Sequence, residues 1–525
     1  MEPVRPPRPS PRLRWWLAFL ILGLAAVFLL GVRRYPDLPF QQRNLASLSG
    51  ILAAAGLLVL WWLFLSRARW RLRLGVFALL LVALAGLRAG FRITGVSGDL
   101  LPIIEPRWGR RAAPAASGPG SAVAPQPPRA GPASERPPGA DFPQFLGPSR
   151  NGILPDARLD TQWAARPPAE VWRMAIGGAW SGFAVAGNRA LTQEQQGDEE
   201  RVTCRDLPTG RLLWERANPG RYDTTIAGAG PRCTPTVAGD RVYTLGATGW
   251  LQCLDLATGS PLWTRSITND ARARVPEWGY SGSPWVRAGL VVVMPGGRDG
   301  RSVIAYDAAT GTERWAAGDA GANYGSPFSL TLAGVEQILV FGGREIVSHD
   351  VLRGTILWRR PWGVGMPLVA VPVPVDDRRV LFSAGYNVGS ELLRIDRGPE
   401  GGWKVGSEWV SRRLKCKFAN PVKVGGFVYG LDDGILACLD LRDGSQRWKE
   451  GRYGHGQGLQ VGELHLLMAE SGELVLLRPT PEGPNELARH RVFASKTWNP
   501  PALCGDLLLV RNDREAACLR LPVRP

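Results

Sequence analysis

The 525-residue chain is short of the groups that most enzymes use for proton and electron chemistry. It has four histidines, seven cysteines and five methionines. With only His349, His455, His465 and His490 available, imidazole catalysis has few candidates. No CxxC, CxxCH or His/Cys cluster occurs, which argues against a zinc site or covalent haem, and no metal is expected. There is no GxSxG elbow, P-loop or HExxH helix. The odd cysteine count excludes complete intramolecular pairing.

Acidic residues are scarce at the start of the chain. Residues 1–140 hold 18 Lys and Arg against 5 Asp and Glu, whereas residues 141–525 hold 45 against 41. The net charge of +17 is therefore concentrated near the N-terminus. With no basic helix and no aromatic-rich basic stripe, it does not read as a nucleic-acid face.

That same region carries three long apolar runs: Trp15–Gly31, Ala46–Leu65 and Leu72–Leu87. Each approaches the roughly 17–25 residues that cross a bilayer as a helix. A cleaved signal peptide is the competing reading of the first run. The long apolar part, poor cleavage signature and two further runs favour a three-helix anchor over 1–90. Arg5, Arg8, Arg12 and Arg14 precede the first run, and Arg67, Arg69, Arg71 and Arg73 separate the second from the third. Positive residues stay in the cytoplasm, so everything after Leu87 is expected outside it. A juxtamembrane segment and a Pro/Ala/Gly-rich linker fill 91–140; Ala112–Ala140 has no aromatics and little to bury.

The folded remainder, 141–525, is organised by one recurring phrase, Asp-x-x-Thr-Gly-x-x-x-Trp. It reads DLPTGRLLW (Asp206–Trp214), DLATGSPLW (Asp255–Trp263) and DAATGTERW (Asp307–Trp315). Weaker copies are DVLRGTILW (Asp350–Trp358) and DLRDGSQRW (Asp440–Trp448), with a stretched one from Asp396 to Trp403 or Trp409. A spacing in the forties signals a repeat architecture. Each unit shows short runs rich in Val, Leu, aromatics and Thr, punctuated by Gly, Asp and Asn. That pattern predicts a four-stranded antiparallel meander. In the phrase, Asp bonds the turn backbone, Gly supplies a positive φ, and Trp covers an outer edge strand between neighbouring blades.

Eight units can be counted, the last of which lacks a Trp strand. The orphan segment around Trp172 is placed to supply it, closing a ring. The expectation is an all-β, eight-bladed propeller behind three transmembrane helices. Trp172, Trp214, Trp263, Trp315, Trp358 and Trp448 are expected to dock the blades. Cys204, Cys253, Cys438 and Cys518 share one strand register and read as small core residues, whereas Cys233, Cys416 and Cys504 start units and are open to exposure.

The phrase resembles the tryptophan motif of pyrroloquinoline quinone (PQQ) type propeller repeats. Such repeats occur in quinoprotein alcohol dehydrogenases and in a non-enzymatic lipoprotein of the outer-membrane β-barrel assembly machinery. The opening DFPQFLGPSRNGI, the three-span anchor and KTWNPP look like membrane-anchored bacterial members. The dehydrogenase resemblance implies a quinone in the central funnel, with a vicinal disulfide, a Trp, a Ca²⁺ and a catalytic Asp. No two cysteines are adjacent here, and no residue can be matched to the Ca²⁺ ligands or the base. No cofactor is expected on this reading; PQQ with Ca²⁺ belongs to the alternative.

The starts of the units should face the channel. They offer a candidate ligand set: Arg232, Ser283, Tyr324, Ser326, Lys417, Asn420, His455, Lys496, Trp498 and Asn499. Basic and aromatic groups there suit an anionic or planar ligand, and the alternative is a water-lined channel. The expected function is a tethered extracytoplasmic scaffold that binds other proteins from a multi-pass anchor in the inner membrane. The alternative is a PQQ-dependent oxidoreductase or small-molecule binder using the funnel.

Overall fold

The structure is a computed structural model that describes residues 13–108 and 141–524, except 36, 37, 39, 156, 364 and 366. The Pro-rich linker therefore lies outside the described residues. The chain divides into two compact units, Met1–Arg110 and Arg111–Pro525.

The first unit contains three helices, Trp15–Arg34, Phe40–Leu65 and Trp70–Gly90, each long and apolar enough to cross a membrane. They run beyond the apolar runs of the sequence, because polar residues such as Gln41 and Asn44 extend the second helix at its start. A two-stranded hairpin follows, β1 (Phe91–Val96) with β2 (Pro102–Pro106).

The second unit is an eight-bladed propeller of four-stranded antiparallel blades. In chain order the blades span residues 184–219, 236–266, 285–317, 328–361, 373–411, 422–452 and 457–491. Blade 8 takes three strands from 502–520 and its outer strand from Ala169–Ala175, where Trp172 faces Cys518. The ring thus closes by joining the two ends of the domain in one sheet, which leaves no unpaired blade at the seam.

Its core is divided among the blade junctions. One cluster packs Leu191, Val202 and Trp214 of blade 1 on Val242 and Leu254 of blade 2. Others fill the junctions of blades 2 and 3, 3 and 4, 4 and 5, 5 and 6, and 6 and 7. The largest joins blades 7, 8 and 1 with Phe142, Leu159 and Trp163 of the entering chain.

The recurring phrase builds a clasp across these junctions. Asp206, Asp255 and Asp307 accept bonds from the backbone N–H and hydroxyl of Thr209, Thr258 and Thr310. The glycine that follows has φ near 70°, a conformation costly for residues with a Cβ. Across the junction, the Trp of the preceding blade donates its indole N–H to the carbonyl just after the Asp. The pairs are Trp172 to Leu207, Trp214 to Leu256, Trp263 to Ala308, Trp315 to Val351 and Trp409 to Leu441. The indole lies against the turn glycine, so a Cβ at Gly210, Gly259, Gly311, Gly354 or Gly444 would collide with it. In the stretched copy Trp409 takes this role.

Two expected docking residues behave differently. Trp448 donates to Thr480, because blade 7 has lost the phrase. Trp358 is buried in the core shared by blades 4 and 5, yet its N–H goes to Gln337 Oε1 of its own blade. Blade 5 has a long hairpin in place of the tight turn, and so lacks the acceptor and the glycine.

All seven cysteines are buried, including Cys233, Cys416 and Cys504, which the sequence had left open to exposure. Neighbouring blades cover the start of each unit. Burial pushes the thiols of Cys204 and Cys416 up to about 12 and that of Cys438 to about 11. Small residues suit the register, since Cys204, Cys253 and Cys438 each face the blade's Trp across the ladder.

Candidate functional site: the channel and its mouth

The segments that lead into the inner strands gather at one end of the channel, its mouth. The ten candidate residues do not converge there as one ligand set. Nine of them separate into a structural belt and an aromatic rim.

Ser283, Ser326, Asn420 and Asn499 belong to the belt, which bonds each blade to the next. Thr234 N–H donates to Ser283 Oγ and Ser283 N–H to Ser326 Oγ. Leu368 N–H donates to Asn323 Oδ1, and Val371 N–H to Asn420 Oδ1. Asn499 Nδ2 donates to the carbonyls of Ala179 and Ser181. These groups are buried and engaged, except Asn499 Oδ1, which has no partner among the described residues. Serine, threonine or asparagine ahead of proline at several unit starts was the signal for this belt.

Tyr324, Lys417, His455, Lys496 and Trp498 meet a set of aromatic residues that sequence reasoning missed. Trp278 stacks on Tyr324 with centroids 5.2 Å apart and lies 6.2 Å from Tyr386. Lys417 Nζ sits 5.2 Å from the Tyr386 centroid. Phe418 continues the run to His455 at 5.6 Å and to Trp498 at 5.1 Å. Trp498 then meets Trp180 at 4.9 Å. Lys496 Nζ lies 3.9 Å from the Trp498 centroid and 4.9 Å from that of Trp180, within cation–π range. Burial pulls the Lys496 ammonium below its ordinary value, with partial compensation from Asp513 and Glu470. The shielded indole N–H of Trp498 has no acceptor among the described residues. Arg232 stands apart. Its guanidinium covers the Tyr222 ring at 4.1 Å and donates to the carbonyls of Ala227, Gly228 and Gly230, and burial lowers it to about 10.

The channel itself is occupied by the entering chain, residues 142–154. Phe142 pairs with Val185 of the first inner strand, and Pro143 accepts from Val237 of the second. The buried Arg150 donates to the carbonyls of Ser283, Pro284 and Pro327. With no carboxylate partner among the described residues, burial lowers it to about 9. Ile153–Leu154 then adds in parallel to the channel edge of the inner strand of blade 7. A cavity of about 130 Å³ remains beside this plug, lined by Asn151, Ile153, Val371, Pro374, Val422 and Lys423 among others.

Among the described residues, the side chains do not offer the vicinal disulfide or the carboxylate cluster that the quinone resemblance implies. No cysteines are adjacent, and among the described residues no three His, Cys, Asp or Glu side chains form a metal-binding group. The nearby carboxylates have structural partners: Glu200 accepts from Ala247 N–H and the Thr248 hydroxyl, and Glu470 from His455 N–H. The mouth offers half-buried ring faces and the Lys496 ammonium, which suit recognition of acidic or planar groups.

Comparison with known proteins agrees with this architecture. The family model described as outer membrane protein assembly factor BamB matches residues 163–264 and 198–450. The assembly factor BamB of Xanthomonas campestris pv. campestris is 40% identical over 133 residues, 25% of this chain and 31% of that protein. Quinohemoprotein alcohol dehydrogenase ADH IIB of Pseudomonas putida is 32% identical over 126 residues, 22% of this chain and 17% of that enzyme. The chain thus spans less than a third of either relative. The solved quinohemoprotein alcohol dehydrogenase ADHIIG of Pseudomonas putida HK5 superposes with a TM-score of 0.52 at 14% identity, covering 74% of this chain and 81% of its own. That likeness concerns the fold alone.

Proposed function

This chain belongs to the PQQ-like repeat family whose model describes the assembly factor BamB, and from that premise we propose that it is a membrane-tethered scaffold that binds other proteins outside the cytoplasm. The three helices hold it in the inner membrane, with the arginine-rich ends inward and the propeller on the periplasmic side. The observation that carries the reading is the division of labour at the mouth. Most of the polar groups placed to grip a small molecule are spent on blade-to-blade bonds, and residues 142–154 bond the inner strands behind them. The rim from Trp278 to Trp498 is half-buried, with Trp278, Tyr324, Phe418, Lys496 and Trp498 partly open to solvent and Lys417 and His455 buried, and its aromatic and cationic composition is suited to protein contact. A partner's acidic side chain would meet the half-buried Lys496 ammonium, and an aromatic one the partly open Trp498 ring.

A photo-crosslinking residue placed at Trp278 in the full chain, in its native membrane, tests this. Discrete adducts that disappear in Lys496→Glu would support the reading. Tight uptake of PQQ with Ca²⁺ by the purified full chain, accompanied by alcohol-dependent dye reduction, would overturn it.

A further inference from the structure

We propose that the hairpin β1–β2, which follows the third helix, is an interfacial foot. Its apolar face lies in the headgroup–acyl boundary of the membrane that the helices cross. The proposal rests on the membrane reading above.

The hairpin is amphipathic in a way a water-exposed turn has no need to be. Cross-strand partners share a face, and side chains alternate faces along a strand. Phe91 pairs with Pro106 and Ile93 with Ile104, so these residues make one apolar face. Ile93 is 64% and Ile104 60% exposed. Trp108, 72% exposed, extends this apolar surface edge-on to Phe91, with centroids 5.3 Å apart. The intervening pair, Arg92 and Glu105, forms an ion pair at 3.6 Å on the opposite face. Within a soluble setting the first face would be an unexplained apolar patch.

Two anchors fix where that patch lies. The hairpin leaves the third helix with no intervening residue, Gly90 to Phe91, and Arg107 N–H returns to the Gly90 carbonyl at 2.7 Å. At the other end, Gln41 Nε2 donates to Gly98 at 2.6 Å and Asn44 Nδ2 to Asp99 at 3.1 Å. Gln41 and Asn44 belong to the first turns of the second helix. If the three helices cross in succession, the start of the second and the end of the third lie at one membrane face. The hairpin is therefore pinned along that face, at the depth where Trp and flanking polar residues gather. The apolar surface of the helices continues directly into it, which identifies the occupant as lipid.

The buried native thiols allow a direct test in the full chain. Ile93→Cys, Ile104→Cys, Leu81→Cys in the third helix and the exposed Asp240→Cys would each carry an environment-sensitive fluorophore. The labelled proteins would be reconstituted in phosphatidylethanolamine/phosphatidylglycerol vesicles. Nitroxide lipids labelled near the headgroup should quench the Ile93 and Ile104 probes several-fold more than the Asp240 probe, and lipids labelled deep in the acyl chain should quench the Leu81 probe. Quenching at Leu81 but not at Ile93 or Ile104 would overturn the foot while leaving the membrane reading intact. Absence of quenching at all of Leu81, Ile93 and Ile104 would overturn both. Ile93 and Ile104 probes that are shielded from an aqueous quencher yet untouched by nitroxide lipid would mean that protein covers the face, which also overturns the proposal.

Discussion

The junction between blades 3 and 4 and the junction between blades 4 and 5 begin from the same residue type and end differently. At the first, Trp315 crosses to the next blade, bonds Val351 and rests on Gly354. At the second, Trp358 is equally buried but bonds Gln337 within its own blade. The difference lies in the recipient, since blade 5 carries a long hairpin where blade 4 has a tight Asp-to-Gly turn. The clasp is thus a property of two consecutive repeats. A tryptophan is committed to it only when the following unit supplies both a carbonyl and a residue without a Cβ.

Truncation should break the clasped junction most severely. Trp315→Ala removes a buried indole and is expected to cost about 3–5 kcal/mol, read from denaturant melts. Gly354→Ala keeps the indole but places a Cβ against it at positive φ, and should cost about 2–3 kcal/mol. Gly334→Ala is the matched control, with a similar φ and open space around it, and about 1 kcal/mol is expected. Equal losses at the two glycines would remove the collision from the account. A finer contrast comes from Trp315→Phe and Trp358→Phe. The first removes the interblade bond at a cost of about 1–2 kcal/mol. The second should cost less, because Gln337 Oε1 keeps its bond from Ser348.

The smallest effect concerns pH. His349 stacks on Trp315, its Nδ1 lies 2.9 Å from the Gly354 carbonyl, and burial lowers its pKa from 6.5. A value depressed in the folded state means that the unfolded chain binds the proton more readily. Stability is then full above the unfolded value and falls as pH drops through it. Melting temperatures between pH 7 and 5 should fall less steeply in His349→Gln than in the natural protein.

Much of this was legible in the sequence where the signal was periodic. The Asp and Gly of the phrase, the three apolar runs and the seam at Trp172 follow from spacing and composition. The change of partner at Trp358 was hidden, because it depends on the turn length of the next unit. The mouth was only half visible. Lys496 and Trp498 stand out in KTWNPP, whereas Trp180, Trp278, Tyr386 and Phe418 come from loops of unequal length with no shared register. The plug was missed for a related reason. Arg150 in DFPQFLGPSRNGI looks like a surface charge until the fold buries it among backbone carbonyls.

The seam in blade 8 also sets an order of events during synthesis. The strand Ala169–Ala175 is made early, but its partner Glu515–Arg520 emerges after every other blade. Until then the nascent domain carries an open sheet edge, the kind of surface that invites pairing with other chains. Ring closure therefore waits for the last strand of the domain. A chain truncated inside blade 8 would carry seven formed blades and one unsatisfied strand, a ready substrate for chaperones or proteases.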